Sequence, residues 1–412
     1  MIMKRTGVMI LATSLIMNIT AFAASQQRLT LNRTAISVMD CGAKGDGTAD
    51  DTAAFQKALS QAKKEKKPVY VKGGKYCISQ TLSLEGVSLI GDTNGAWPAD
   101  GWNLPLLICT NPEVDSIHIN NATLSGVAFE ARHKSSDKTL FKPIISITGD
   151  NAHILNVKLA SVSIGIRSVE ANTKNLIIEN VFMTDPNKLG VYVSGTKGTV
   201  MLKNIEMWPS TQSMSGSFAK SGAGIILSNN ENIKMTDCFV WNAQNGILLE
   251  EDSGKGNTIT MENCSVDYCS NGLVVKGNHK VDIVGGTYWA HFKSVSLESG
   301  KTDLTMRGMD LRSNGSVTAY IKSAGTVKMT GLIVRRTMDD RDVAAMLLGD
   351  ADSITMEGCT VFALRTGNPA VEIGGPGELV MRGNTISNIG KNVLPDGIAS
   401  EYTVANNVYT AP

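Results

Sequence analysis

From about residue 170 onward, apolar and polar residues alternate at period two in short runs, and each run breaks at an Asn, Asp or Gly before a similar run begins. Period two marks a strand with one buried face, and the residue at the break supplies a tight turn. Segments such as "LIIENVFM", "IKMTDCFV", "ITMENCSV", "LTMRGMDL", "ITMEGCTV" and "LVMRGNTI" share this interior. Their first apolar positions fall at Leu176, Val200, Ile233, Ile259, Val281, Leu304, Val327, Ile354 and Leu379, with spacings of 24, 33, 26, 22, 23, 23, 27 and 25 residues. A third apolar run, seen as "GVYV", "GIIL", "GILL", "GLVV" and "AVEI", precedes the next unit. Three short strands per unit with no helical pattern between them predict an all-β solenoid, a right-handed parallel β-helix in which each inward residue stacks on its counterpart one rung away. A leucine-rich solenoid would need its asparagine–leucine consensus, and a propeller would need longer blades.

The stretch "DCGAKGDGTADDTAAFQKAL", residues 40 to 59, gathers Asp46, Asp50 and Asp51 among glycines. It fits neither a phosphate loop nor a dinucleotide fingerprint, and it lacks the terminal glutamate of an EF-hand. Ala54, Phe55, Ala58, Leu59 and Ala62 form one apolar face, so the segment from about 50 to 65 reads as an amphipathic helix. Thr48 or Asp50 stands as its N-cap, with the carboxylates facing the positive end of the helix. Such a helix closes the first rung, which otherwise exposes core and unpaired backbone. The expected organisation is a leader over 1–23, a cap region over 24–83 and the β-helix over 84–412.

"ISVMDCGAKGDGTADDTAAFQKAL" followed by "PVYVKGGKYCISQTLSLEGVSLIGD" resembles the N-terminal signature of the pectate-lyase-like β-helix superfamily, though Cys41 stands where an aromatic residue is usual. The resemblance spans residues 36 to about 92. It implies the β-helix fold and an activity among polysaccharide lyases, glycoside hydrolases and phage tailspike depolymerases. Members of that superfamily are often monomers or homotrimers.

The N-terminus carries Lys4 and Arg5, an apolar run from Val8 to Ile19, and Ala21 and Ala23 around Phe22. This is the pattern of a secretory signal, and the run is shorter than the ~20 residues of a membrane span. It predicts a protein that is secreted or held in a bacterial periplasm. A net charge of +1 makes no electrostatic case for nucleic acid. The seven cysteines lie at scattered spacings that form neither a zinc pattern nor a disulfide framework.

Aligned rungs turn outward residues into columns along which a long substrate would lie. One column reads Thr184, Trp208, Trp241, Asp267, Trp289, Arg312, Arg335, Phe362, Ser387, and it holds three of the five tryptophans. A row of outward tryptophans suits stacking on the flat faces of sugar rings, or else lies under a loop or a subunit contact. The insertion "PSTQSMSGSFAKSG" stands ready to wall such a groove. A second column, on the third strand, reads Ser194, Ser228, Glu250, Lys276, Glu298, Lys322, Leu348; it is either a salt-bridge ladder or a set of groups converging on a substrate. Isolated His291 sits near Trp289.

A lyase acting on uronate chains needs cations to neutralise a carboxylate and a base to remove the adjacent proton. Lys276, Arg312, Lys322, Arg335 and Tyr268 can supply these roles, with Glu250 and Glu298 as ligands for a Ca²⁺ ion. A hydrolase needs two carboxyl groups about 5 to 9.5 Å apart, for which Asp267 with Glu250 or Glu251 is the candidate pair. Polygalacturonase-type members of the resembled superfamily carry clustered aspartates on their groove strands, where this chain has glutamate and lysine. The expectation is therefore a polysaccharide lyase, with Lys276, Arg312, Asp267, Glu250 and Glu298 as catalytic residues. Trp208, Trp241, Trp289, Tyr268, Lys322 and Arg335 would bind the substrate. The alternatives are a glycoside hydrolase or tailspike-like depolymerase, and a non-catalytic glycan-binding or cell-envelope protein.

Overall fold

The computed structural model describes residues 34–92, 104–131, 140–168, 173–209, 216–251, 254–337, 343–363, 368–388, 394 and 397–410. The expected leader, residues 1–23, lies outside them. Strands pair in parallel with partners one rung away, from Ile36–Ser37 on Val69–Val71 to Thr385–Asn388 on Val408–Thr410. They wind into a right-handed parallel β-helix.

The nine apolar positions read from the repeat form one continuous stack in register. All nine are buried. The turn that follows each is taken by residues in the left-handed region, as the mid-unit Asn, Asp and Gly require. Asn180 and Asn204 have φ near +50°, while Gly308, Gly331, Gly358 and Gly383 fill the same turn further on. On the earlier rungs the turn amides also bond to one another, Asn180 Nδ2 to Asn156 Oδ1 at 3.0 Å and Asn204 Nδ2 to Asn180 Oδ1 at 2.9 Å.

The helix Thr52–Glu65 buries Thr52, Phe55, Ala58, Leu59 and Ala62. Its aspartates do a different job from the expected capping. The N-cap residue is Asp51, it makes no side-chain cap, and the first turn holds no acidic residue. Instead the Asp51 carboxylate, 2% exposed, accepts the amides of Lys44 and Gly45 at 2.6 and 3.2 Å. Asp50 accepts from Thr52 and Ser79, and Asp46 closes its own turn onto Thr48 and Ala49. The carboxylates thus fasten the loop that leads into the helix. Strand pairing runs on through residue 84 without a break, since Leu82–Glu85 already lies on Ile117–Asn120.

All seven cysteines are buried free thiols. Among the described residues no helix is long and apolar enough to cross a membrane.

Candidate active site

Strand pairing keeps most of the first outward column in register, with a shift at Asp267. Thr184 pairs with Trp208, Trp241 with Asp267, Trp289 with Arg312, Arg312 with Arg335, Arg335 with Phe362 and Phe362 with Ser387. Trp208 is 41% exposed. Its ring lies 5.6 Å from that of Trp241 and 4.8 Å from that of Phe239. The ladder then leaves the column: Trp241 meets Tyr268 at 6.0 Å, and Tyr268 meets His291 edge-on at 4.4 Å. Trp289 points its indole N–H at Asn314 Oδ1, 2.9 Å away.

A backbone irregularity places Tyr268. Val266 pairs with Tyr288 and Cys269 with Ala290, so Asp267 and Tyr268 together oppose the single residue Trp289. This is a β-bulge, which bends the strand locally and re-aims its side chains. Tyr268 sits at φ 56°, a turn position filled on earlier rungs by Ser161, Asp185 and Asn242. A large aromatic residue in the left-handed region is strained, and strain of this kind gathers at functional sites.

Asp267 and His291 each bury a polar atom, Oδ1 and Nε2, that has no hydrogen-bond partner among the described residues. Burial raises the Asp267 pKa, against the pull of a Tyr268 backbone bond, Arg312 and His291. Burial lowers the His291 pKa, against the opposing influence of Asp267, and so favours the neutral imidazole. Two unsatisfied buried groups side by side are costly unless a ligand completes them.

Asp310 lies beside this centre, with its side chain 18% exposed. It accepts Arg312 Nε and Nη2 at 3.1 and 2.6 Å, and Arg335 Nε and Nη2 at 3.2 and 2.6 Å. Burial opposes its charge, but the two guanidiniums outweigh burial and hold the carboxyl below the usual range. Both arginines remain about one-third exposed, at 33% and 38%.

The second column is not a continuous ladder. Lys276 pairs with Ser299 across a register shift, and Glu298 bridges Lys293 at 2.9 Å. Leu348 pairs with Ile321 and faces the core, one residue out of line with Lys322. Glu251 accepts from Asn278 on the next rung. Glu250 and Lys276 stand at the far end of the third strand, five residues beyond the paired Asn245 and Asn271 and thus about 16 Å along it from them. The structure therefore sets Asp267 and Tyr268 near Arg312, ties Arg335 to Arg312 through Asp310, and leaves Glu250, Lys276, Glu298 and Lys322 on another edge. Among the described residues no three His, Cys, Asp or Glu side chains are grouped to hold a metal ion.

Two family models match the chain. The one described as rhamnogalacturonase A/epimerase, pectate lyase-like, covers residues 35–99, and the one described as right handed beta helix region covers residues 143–311. The chain belongs to the pectate-lyase-like right-handed β-helix superfamily. No curated protein sequence matches it. Among solved structures, this β-helix is similar to the pre-mature gene product 12 of bacteriophage phi29, with a TM-score of 0.59 and 13% identity over 95% of this chain and 59% of the other. It is similar to the catalytic unit of a GH87 α-1,3-glucanase from Streptomyces thermodiastaticus, with a TM-score of 0.53 and 14% identity over 90% and 68%. It is likewise similar to the A-module of the Azotobacter vinelandii mannuronan C-5 epimerase AlgE4, with a TM-score of 0.51 and 16% identity over 91% and 97%. At these identities the likeness is one of fold.

Sequence reasoning gave His291 little weight and passed over Asp310 and Asn314. Asp310 carried a usable signal, because it lies two residues before Arg312 on the same strand face. His291 carried only its closeness to Trp289 in the chain, since its meeting with Tyr268 depends on the bulge.

Proposed function

We propose that this pectate-lyase-like β-helix is an exported enzyme that cleaves an acidic polysaccharide by β-elimination. The observation that carries this reading is the contact of Tyr268 with His291 beside Asp267, with the Asp310-held arginines on the adjoining rungs. In this reading Arg312 and Arg335 pair with a uronate carboxylate and so acidify the proton on the adjacent carbon, C5. Neutral His291 accepts that proton at Nε2. The electron pair forms the C4–C5 double bond as the C4–O bond breaks, and the Tyr268 hydroxyl gives its proton to the departing oxygen. Nε2 is covered in the free protein, so seating the sugar must shift the Tyr268 ring. Relatives that act on glycans, a glucanase and a mannuronan epimerase, support a carbohydrate substrate.

A hydrolase is the second reading, and one observation favours it: Asp267 is raised and Asp310 lowered, as an acid and a base would be. Strand spacing and rise separate their Cα atoms by about 12 Å, and the Asp310 oxygens are held by two arginines. Elimination is the better fit.

Purified protein on a panel of acidic and neutral polysaccharides separates the readings. Elimination yields ultraviolet-absorbing unsaturated ends together with reducing ends, hydrolysis yields reducing ends alone, and a binding protein yields neither. Export rests on the Lys4–Arg5, apolar and Ala-Phe-Ala pattern. N-terminal sequencing of the protein from a periplasmic fraction tests it, with a mature start at residue 24 expected.

A further inference from the structure

Successive rungs are spaced by about 4.8 Å, close to the length of one pyranose in an extended chain, so a bound glycan sets roughly one sugar on each rung. A homopolymeric uronate carries a carboxylate on every sugar and requires cations along the whole groove. The tryptophan column and the outward positions two residues before it, Phe182, Glu206, Phe239 and their counterparts, do not provide them evenly.

On the N-terminal side these columns hold Phe182, Thr184, Glu206, Trp208, Phe239 and Trp241. Their cation there is Lys158, which is 7% exposed with its ammonium directed at the Phe182 ring, 5.5 Å from the centroid. Glu206 adds a carboxylate and accepts the Trp208 indole N–H at 3.2 Å. Exposed Lys188 and Lys220 lie beyond the turn, outside the columns. Beyond Asp267 and Trp289 the column turns cationic, with Arg312 and Arg335 on consecutive rungs before Phe362. Beside the aromatic half opens a cavity of about 300 Å³ lined by hydroxyl and amide groups of Ser161, Ser163, Asn187 and Asn242, with Asp185 its one acidic side chain. That lining suits a hydroxyl-rich branch and repels a carboxylate.

We infer that the groove takes an acidic heteropolysaccharide, placing neutral sugars on Trp208 and Trp241 and a single uronate at Arg312 and Arg335, and that it discriminates against homopolyuronates. This deepens the proposed elimination and rests on that reading for the position of the uronate.

The test measures binding apart from turnover. The turnover-impaired Tyr268→Phe variant, with and without Trp208→Ala, is titrated by calorimetry with polygalacturonate, polymannuronate, dextran, and a panel of heteropolysaccharides in which uronates are separated by neutral sugars, gellan and hyaluronan among them. At least one heteropolysaccharide is expected to bind about tenfold or more tighter than both homopolymers and dextran, and Trp208→Ala should remove about tenfold of that affinity, the scale of one lost stacking contact. Equal or tighter binding of a homopolyuronate, no binding to any heteropolysaccharide, or a preference untouched by Trp208→Ala overturns the inference. The unmodified protein is assayed in parallel. The heteropolysaccharide preference without unsaturated product from any polymer sinks the elimination and keeps this inference, whereas equally fast product from a homopolyuronate does the reverse.

Discussion

The ring of Tyr268 meets that of His291 edge-on, with centroids 4.4 Å apart and planes at 76°. The contact is bought with a tyrosine at φ 56°, where asparagine, aspartate and serine serve the same turn on other rungs. Replacing Tyr268 with asparagine should therefore leave stability unchanged or raise it by about 1 kcal/mol, because the left-handed conformation costs a large residue roughly that much more. Turnover should fall by at least about a hundredfold, the lower range for a lost proton-transfer group. Thermal denaturation and steady-state kinetics on the same preparation check both halves; retained turnover would remove Tyr268 from the chemistry.

The pH profile should identify the base. Burial lowers the His291 pKa, so the acid limb of kcat/KM is expected below the ordinary histidine value of about 6.5. The Asp267 charge raises that pKa, and Asp267→Asn should move the limb to still lower pH while reducing the rate. A limb that stays in place in that variant argues against His291.

Trp241 lies between Trp208 and Tyr268 in the ring ladder. Trp241→Ala should weaken glycan binding by about 1 to 3 kcal/mol. Arg312→Ala should lower kcat more than it raises KM, since charge neutralisation strengthens as the carbanion develops. Inhibitor binding and kinetics on the two variants should show opposite patterns.

A second histidine sets an acid limit on the fold. His279, 3% exposed, accepts the Asn257 amide at Nδ1 over 2.9 Å, and its Nε2 lies 2.9 Å from the Lys276 carbonyl. Burial lowers its pKa. The unfolded chain therefore takes up the proton first, so its contribution to stability is complete above about pH 6.5 and declines as pH falls from there toward the folded pKa. Denaturant midpoints measured from pH 7.5 down to 5 should fall less in His279→Gln than in the unmodified protein, after allowance for its lower starting stability.

Asp51→Ala should cost about 1 to 3 kcal/mol, because it strips an acceptor from two loop amides, and should leave turnover per folded molecule intact. Lost turnover with unchanged stability would instead give the loop a catalytic role.

The solenoid was legible because its signal is redundant: nine buried positions repeat one instruction, and the register obeys all of them. The tryptophan column followed from the same counting. Counting fails where the backbone changes step. The bulge at Asp267 and Tyr268 sets two residues against one in a way no hydropathy pattern marks, and the shift at Lys276 and the slip at Leu348 displaced the charged column in the same way. The contact between Tyr268 and His291 spans 23 residues and depends on where two rings point, which composition does not record.

Asp310 is shared by two guanidiniums, and this gives the groove a means of exchanging partners. In the proposed reading, a uronate carboxylate would engage both arginines while each keeps a nitrogen on Asp310, so a half-buried charge would not be stranded during binding. Departure of the product would run the exchange backward, and both arginines would return to an acceptor still in place. A cationic surface organised in this way can hold an acidic chain firmly and still let it move on.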